Sequence, residues 1–342
     1  ALGGFYMATF PGVWQMSALY GYWGITTACL FWAALIKATR DWGGADSQGI
    51  AFGILDGGRG MAAAVFAGFA VAILAVYLPT ETDLVTNGDR RAALRGIILY
   101  YSLITLLCAG IVWVLVPHDA DTVRKDRKLF AGVPEVIRKP LIWAQAGIII
   151  CAYCGYKALD NYSLYAVDVL GMNEIDAAKF ANYGAYIRPL ACVMAGLIAD
   201  RFGSARSIIV LFALLVASFG VLAVSAPDTT SLTIMYGNVF VTFLAVYALR
   251  GIYYALLEET HTPKHLTGAS VAVIAFIGYS PEAFFGPVTG RILDANPGIA
   301  GHQNFMLFLA AVSVVGVLIT LTLVWLNKPS PELVQIDAAL PD

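Results

Sequence analysis

Charge is what this chain has least of. Only 13% of its 342 residues are Asp, Glu, Lys or Arg, where a soluble domain carries roughly a quarter so that its surface is wetted. That shortfall excludes an ordinary water-soluble globule. Net charge is only −2, which leaves no electrostatic basis for a nucleic-acid partner. Histidines are few: His118, His261, His265 and His302 fall near loops and form no metal constellation, so neither metal nor cofactor is expected. No Ser/His/Asp set, H-E-x-x-H helix or P-loop is present, and the polar segments are too short for a catalytic domain. An enzyme is therefore not expected. The five cysteines, Cys29, Cys108, Cys151, Cys154 and Cys192, all sit inside apolar runs, where thiols behave as small hydrophobes. Cys151 and Cys154 make a C-x-x-C with no thioredoxin-like context and no further ligands. It reads as structural, and disulfides are not expected.

Apolar residues fill the space. They make up 59% of the chain, and the mean hydropathy is +0.73. They also come in runs long enough to cross a hydrocarbon core, which takes roughly 20 helical residues. Runs bounded by polar or Pro/Gly clusters predict nine full membrane helices, at about 16–40, 49–78, 91–116, 141–167, 175–200, 204–226, 230–257, 267–293 and 302–327. A partial one spans residues 1–10, closed by Pro11 and Gly12. Long continuous runs without a ten-residue alternation indicate helices, not barrel strands. Trp42, Trp113, Trp143 and Trp325 lie at run ends, where an interfacial aromatic belt is expected. The expected fold class is thus an all-α integral membrane protein, with the lipid bilayer as its first partner.

Orientation follows from basic residues in short loops. The longest polar segment, 117–140, carries Arg124, Lys125, Arg127, Lys128, Arg138 and Lys139 and should be cytoplasmic. Segments around Lys37/Arg40, Arg201/Arg206 and Lys264 then fall on the same side. The opposite set, with Glu81/Asp83, Asp168/Glu174/Asp176 and Asp228, is mostly acidic. Arg90, Arg91 and Arg95 conflict with this count. Four parts result: a helical bundle remainder 1–116, a cytoplasmic loop 117–140, a six-helix bundle 141–327 and a cytoplasmic tail 328–342.

Between the fifth and sixth full runs stand Gly196, Asp200, Arg201, Gly203, Ala205 and Arg206. A tight cytoplasmic turn wants glycine where helices meet and reverse, and Asp200 and Arg201 can tie helix ends together. The pattern resembles the G-x-x-x-D-R-x-G-x-[RK]-[RK] loop of the major facilitator superfamily, with the last basic pair degraded to Ala205-Arg206. The resemblance implies a twelve-helix transporter, of which the nine spans and the stub would be helices 3–12. It also implies that the chain is N-terminally truncated, consistent with a start at Ala1 inside an apolar run. Two further stretches, 36–60 and 250–287, occupy matching positions in the two halves. They resemble a bacterial branch of sugar permeases, more distantly similar to organophosphate antiporters. A multi-pass protein of the inner (plasma) membrane is implied, moving a small polar or anionic solute of the sugar or sugar-derivative class, with a proton or another ion as coupling partner.

Ionisable residues inside a membrane are functional candidates, since each costs about 2.5–3.5 kcal/mol to insert. Lys157 and Asp160 are three apart and share a helix face, with Tyr156 and Asn161 around them. They are either a permanent pair or one that a solute anion or proton can break. Arg188, followed by Pro189 where the helix is expected to bend, is either a solute anchor or a partner of Asp160 or Glu282. Glu282 is a candidate for proton coupling through burial. Arg250 completes the solute and ion-pathway set. Glu258 and Glu259 are expected to pair with Arg201 or Arg206 across the cytoplasmic face. By repeat symmetry Lys37, Arg40, Asp41, Asp56 and Arg59 should form a similar cluster. Together with Asp200 these are candidate conformational latches. The rival to a transporter is a truncated, non-transporting fragment or a membrane scaffold or sensor.

Overall fold

The computed structural model describes residues 1–44, 46–77, 87–115, 132–172, 177, 180–181, 183–184, 186–227 and 230–327. Most of the expected central loop and the whole expected tail lie outside that set. Among the described residues every regular element is helical. First come α1 (Leu2–Met7), α2 (Val13–Ile25), a π turn (Thr26–Phe31), α3 (Trp32–Gly43), α4 (Gln48–Tyr77) and α5 (Asn87–Leu115). After the central segment follow α6 (Val133–Ile137), α7 (Pro140–Ala158), a 3-10 turn (Leu159–Asn161) and α8 (Tyr162–Asp168). Next are α9 (Arg188–Phe202), α10 (Ser204–Val224), α11 (Leu232–Ile252) and, after another 3-10 turn, α12 (Leu256–Glu259). The last are α13 (Thr267–Gly278), α14 (Pro281–Ala295) and α15 (Ile299–Leu326).

Seven stretches among the described residues are long and apolar enough to span a membrane: Gln48–Phe66, Arg91–Leu115, Pro140–Asp168, Ser204–Val224, Leu232–Glu259, Thr267–Ala295 and Ile299–Leu326. The expected count of nine full spans is not confirmed among the described residues. The run at 16–40 is interrupted by the π turn at Thr26–Phe31, which leaves helices of 13 and 12 residues on either side. The run at 175–200 falls partly on residues outside the described set; helical residues at 177, 180–181 and 183–184 are followed by a turn at Tyr186–Ile187 before α9 begins at Arg188. Three of the long spans are also discontinuous, at Leu159–Asn161, at Tyr253–Ala255 and at Tyr279–Ser280. Pro281 explains the last break: it starts α14 at the first-turn position where a missing N–H costs nothing.

Contacts divide the chain into two units, Ala1–Thr27 with Ala62–Ala131, and Ala28–Met61 with Gly132–Asp342. In the first, α1 lies against α5 so closely that a Cβ on Gly4 would strike the Ser102 side chain. The Arg91 guanidinium covers the Phe10 ring at 5.1 Å.

The second unit holds the core, and glycine spacing sets its tightest seam. Gly49, Gly53 and Gly57 recur every four residues on α4 and face Gly196, Cys192 and Pro189 of α9. A Cβ on Gly53 would run into the Cys192 carbonyl, and one on Gly196 into the Gly49 carbonyl. Small residues at this spacing let two membrane helices approach backbone to backbone. On its other side α9 meets α11, where Gly251 accommodates Cys192. The residues just beyond the seam on α4, and those at the start of α9, are thereby fixed against each other.

Candidate functional site

Asp56 stands one residue before Gly57, so the glycine seam delivers its carboxylate to the start of α9. There Arg188 closes a fork on it, Nε donating to Oδ2 at 3.0 Å and Nη2 to Oδ1 at 2.8 Å. From α11, Arg250 Nε donates to the same Oδ1 at 3.3 Å. One turn along α4, Arg59 Nη1 lies 3.5 Å from Oδ1. The Cys192 thiol, 3.5 Å from Oδ2, donates at 3.2 Å to the Tyr247 carbonyl. Three guanidiniums thus share one buried carboxylate.

Aromatic faces wall this cluster. The Arg250 guanidinium lies 3.8 Å from the Tyr156 ring centroid and 5.5 Å from that of Tyr153. Arg188 lies 5.7 Å from the Tyr247 ring, and Arg59 is 4.5 Å from Trp32. Such stacking offsets part of the desolvation of a buried cation, by about 0.5–2 kcal/mol each. It does not satisfy hydrogen bonds, and Nη1 of Arg250 is buried with no acceptor among the described residues.

A second group sits beside the first. Lys157 Nζ is 2.6 Å from Asp160 and 3.5 Å from Glu282, and the Tyr153 hydroxyl donates to Glu282 at 2.5 Å. Both acids are more than half exposed (64% and 55%). Asn161 closes the 3-10 turn that follows Lys157, and Tyr279, at the α13–α14 break, brings its hydroxyl to those of Tyr253 and Tyr254 at 3.2 and 3.1 Å. The helix breaks therefore cluster around the charged residues, where irregular backbone inside a membrane protein is tolerated.

Several sequence expectations are corrected here. Arg188 pairs with neither Asp160 nor Glu282, because the glycine seam offers it Asp56 instead. Pro189 sits in the first turn of α9, directly after the turn at Tyr186–Ile187 where the expected bend falls, and its missing N–H leaves no hydrogen bond broken there. Asp56 and Arg59 do not join Arg40 in one latch cluster; they belong to the central group. Glu258 does not pair with Arg201 or Arg206. Its partner is Arg40, at 2.7 Å.

Among the described residues of the second unit, Arg40 is the most fully bonded charge. Besides Glu258 it donates to Thr267 Oγ1 at 2.7 Å and to the Thr262 and Leu257 carbonyls at 2.6 and 3.3 Å. Nearby, Asp200 accepts from the Gly49 and Ile50 amides at 2.5 and 2.8 Å. Glu259 accepts from the Ala205 amide at 2.9 Å. Both acids thus cap helix N-termini, where a carboxylate is favoured by unpaired N–H groups. Arg201 lies over Phe202 at 5.4 Å, and Arg206 makes no ion pair among the described residues. The segments joined here are ones expected on the cytoplasmic side.

The model of the Major Facilitator Superfamily matches residues 1–285. The inner membrane protein YqcE of Escherichia coli (strain K12) is 24% identical over 95% of this chain and 76% of its own length. The inner membrane protein YihN of the same organism is 23% identical over 94% and 76%. A solved structure of the E. coli fucose:proton symporter FucP matches with a TM-score of 0.60 at 15% identity, covering 83% of this chain and 70% of that one.

Proposed function

Because the chain belongs to the Major Facilitator Superfamily, a transporter and not an enzyme, multi-pass in the inner membrane, we propose that it is a secondary active transporter of a small organic anion. The observation that carries this reading is the ratio at the centre of the second unit: three arginines to one carboxylate, with a buried donor on Arg250 unspent. A charge in the bilayer that is not neutralised is costly, so a cluster of this composition favours an anionic guest. Aromatic faces around the cations suit a ring or polyol body stacked beside the anionic group. This supports the sugar-derivative class, a sugar acid or sugar ester ahead of a neutral sugar; the fold neighbour FucP is itself a fucose:proton symporter.

Arg188, Arg250 and Arg59 are assigned to the anion, Tyr156 to the wall, and Lys157, Asp160, Asn161 and Glu282 to the adjoining pathway. Arg40–Glu258, Asp200 and Glu259 are assigned to a latch that is made in one conformation and broken in the other. Movement is by alternating access.

The test is uptake by the full-length protein in proteoliposomes, with labelled D-glucuronate, D-gluconate and glucose 6-phosphate against neutral glucose. At least one anion accumulates, and Arg188→Ala abolishes that accumulation while leaving insertion intact. Uptake of glucose alone, or anion uptake indifferent to Arg188→Ala, sinks the reading.

A further inference from the structure

A cavity of about 400 Å³ opens in the first unit, lined by Phe10, Arg91, Ala92, Arg95, Gly96 and Leu99. Its volume lies in the range of small-molecule sites, and no residue of the arginine cluster lines it. Five of the six residues come from α5, and their spacing makes the hollow. Arg91 and Arg95 are four apart, as are Ala92 and Gly96. Two long cationic side chains therefore stand beside a floor that has almost no side chain. The opposite wall is Phe10, in the turn that follows α1. Its backbone is left-handed, with φ at 55°, a conformation that a bulky residue holds only where its surroundings fix it. Here the ring lies 5.1 Å from the Arg91 guanidinium.

Position decides what such a hollow can hold. Arg91 opens the membrane-spanning stretch Arg91–Leu115 and Arg95 lies one turn inside it, near the boundary where the hydrocarbon core meets the headgroups. Further into the stretch, Leu103, Leu106 and Leu107 continue the face of Leu99 at helical spacing and are exposed. They form an apolar track for acyl chains. No carboxylate is among the described lining residues, so nothing in the lining offsets the two guanidinium charges. Arg91 and Arg95 also stand in a set of segments that is otherwise mostly acidic, against the usual distribution of basic residues. A phosphate held at that level accounts for both.

We propose that this cavity is a lipid site, in which the phosphodiester of an anionic phospholipid docks on Arg91 and Arg95 and its acyl chains follow α5. A guanidinium offers phosphate parallel donors in a planar fork. The headgroup is anionic and not zwitterionic, because an ammonium would bring a further positive charge to a lining without an acid. A lipid seated there touches Phe10 as well as α5, and so ties the end of α1 to the helix on which Gly4 already packs against Ser102. The site uses none of the residues assigned to the transported solute and does not rest on the organic-anion reading.

The experiment takes the full-length protein, delipidated in detergent, and counts retained lipid by native mass spectrometry. Phosphatidylglycerol and phosphatidylcholine with the same acyl chains are the probes. Wild type retains a single phosphatidylglycerol at a concentration at least about ten-fold below that needed for phosphatidylcholine, the order expected of two basic groups at a membrane surface. The Arg91→Gln/Arg95→Gln double variant retains the two lipids alike. Ala92→Trp, at an exposed position, fills the hollow with both charges kept and loses the preference too, which decides by itself if the double variant does not fold. Equal retention of the two lipids by wild type overturns the proposal, as does a preference kept in either variant. Displacement of phosphatidylglycerol by inorganic phosphate, at an ionic strength where chloride leaves it bound, would overturn it as well and assign the cavity to a soluble phosphate.

Discussion

Arg40 and Arg250 are both buried arginines beside a carboxylate in the same unit, yet their surroundings differ in kind. Around Arg40 the accounts close: all three of its nitrogens donate, to Glu258, to the Thr267 hydroxyl and to two carbonyls. Around Arg250 they stay open, with one nitrogen shared onto Asp56, an aromatic face at 3.8 Å and Nη1 unmet. A saturated buried cation is held for structure. On the function proposed above, an unsaturated one, in a group with more cations than anions, is held for a guest. The difference is a matter of acceptor count, not of burial.

The largest expected effects break this comparison directly. Arg40→Ala strands Glu258, a group of helix-end carbonyls and Thr267, and is expected to cost about 3 kcal/mol, at the lower end for a broken buried pair because Glu258 is partly exposed. Thermal unfolding in detergent measures it, and anion affinity should move by less than about three-fold. Arg250→Ala should do the reverse. Affinity for the transported anion falls about 100-fold, as when one partner of a buried charged contact is removed, while stability holds or rises because an unbalanced cation is gone. Arg250→Lys recovers only part of the loss, since an ammonium is a point charge without the fork. If Arg40→Ala weakened binding more than Arg250→Ala, the assignment of latch and site would be inverted.

Much of the architecture was legible in the runs of apolar residues, because a membrane helix must be long and apolar whatever packs around it. The ends of Pro140–Asp168, Ser204–Val224 and Ile299–Leu326 lie within a few residues of the expected spans. Partners were less legible. Lys157–Asp160 could be read from spacing on one helix, and Arg188, Arg250 and Glu282 stood out as charges inside apolar runs. Which carboxylate answers Arg188 could not be read from spacing, since Asp56 lies 132 residues away and the pairing depends on how two helices cross. A signal for that crossing was present in Gly49, Gly53 and Gly57. Four-residue glycine spacing marks a close helix–helix seam, and Asp56 adjoins it. The π turn left no comparable trace: Thr26–Phe31 is as apolar as its flanks.

The seam supplies the next test. Gly53→Ala puts a methyl group against the Cys192 carbonyl, and backbone cannot yield as a flexible side chain would. The helices must part slightly, at a cost of about 1–3 kcal/mol. Because Asp56 and Arg188 ride on the two helices, the fork should loosen as well. An affinity change in Gly53→Ala, with no alteration of any charged residue, would show that the seam sets the site. Loss of stability with unchanged affinity would confine the glycines to packing.

The smallest expected effect concerns the pair that spacing made most visible. Lys157–Asp160 is short at 2.6 Å, but Asp160 is 64% exposed, so water screens the attraction and the pair is worth under about 1 kcal/mol. Lys157 also keeps a second acid within reach, Glu282 at 3.5 Å, which can take up the cation if Asp160 is neutralised. Asp160→Asn is therefore expected to change anion affinity by less than about five-fold, against about 100-fold for Arg250→Ala. A double-mutant cycle between positions 160 and 282 sharpens this further. Coupling between them through the shared lysine should be measurable, because residues in one ion-pair network do not act additively. If Asp160→Asn alone matched the loss in Arg250→Ala, the solute would be contacting the half-exposed group first, and acceptor count would no longer separate structural from functional arginines in this protein.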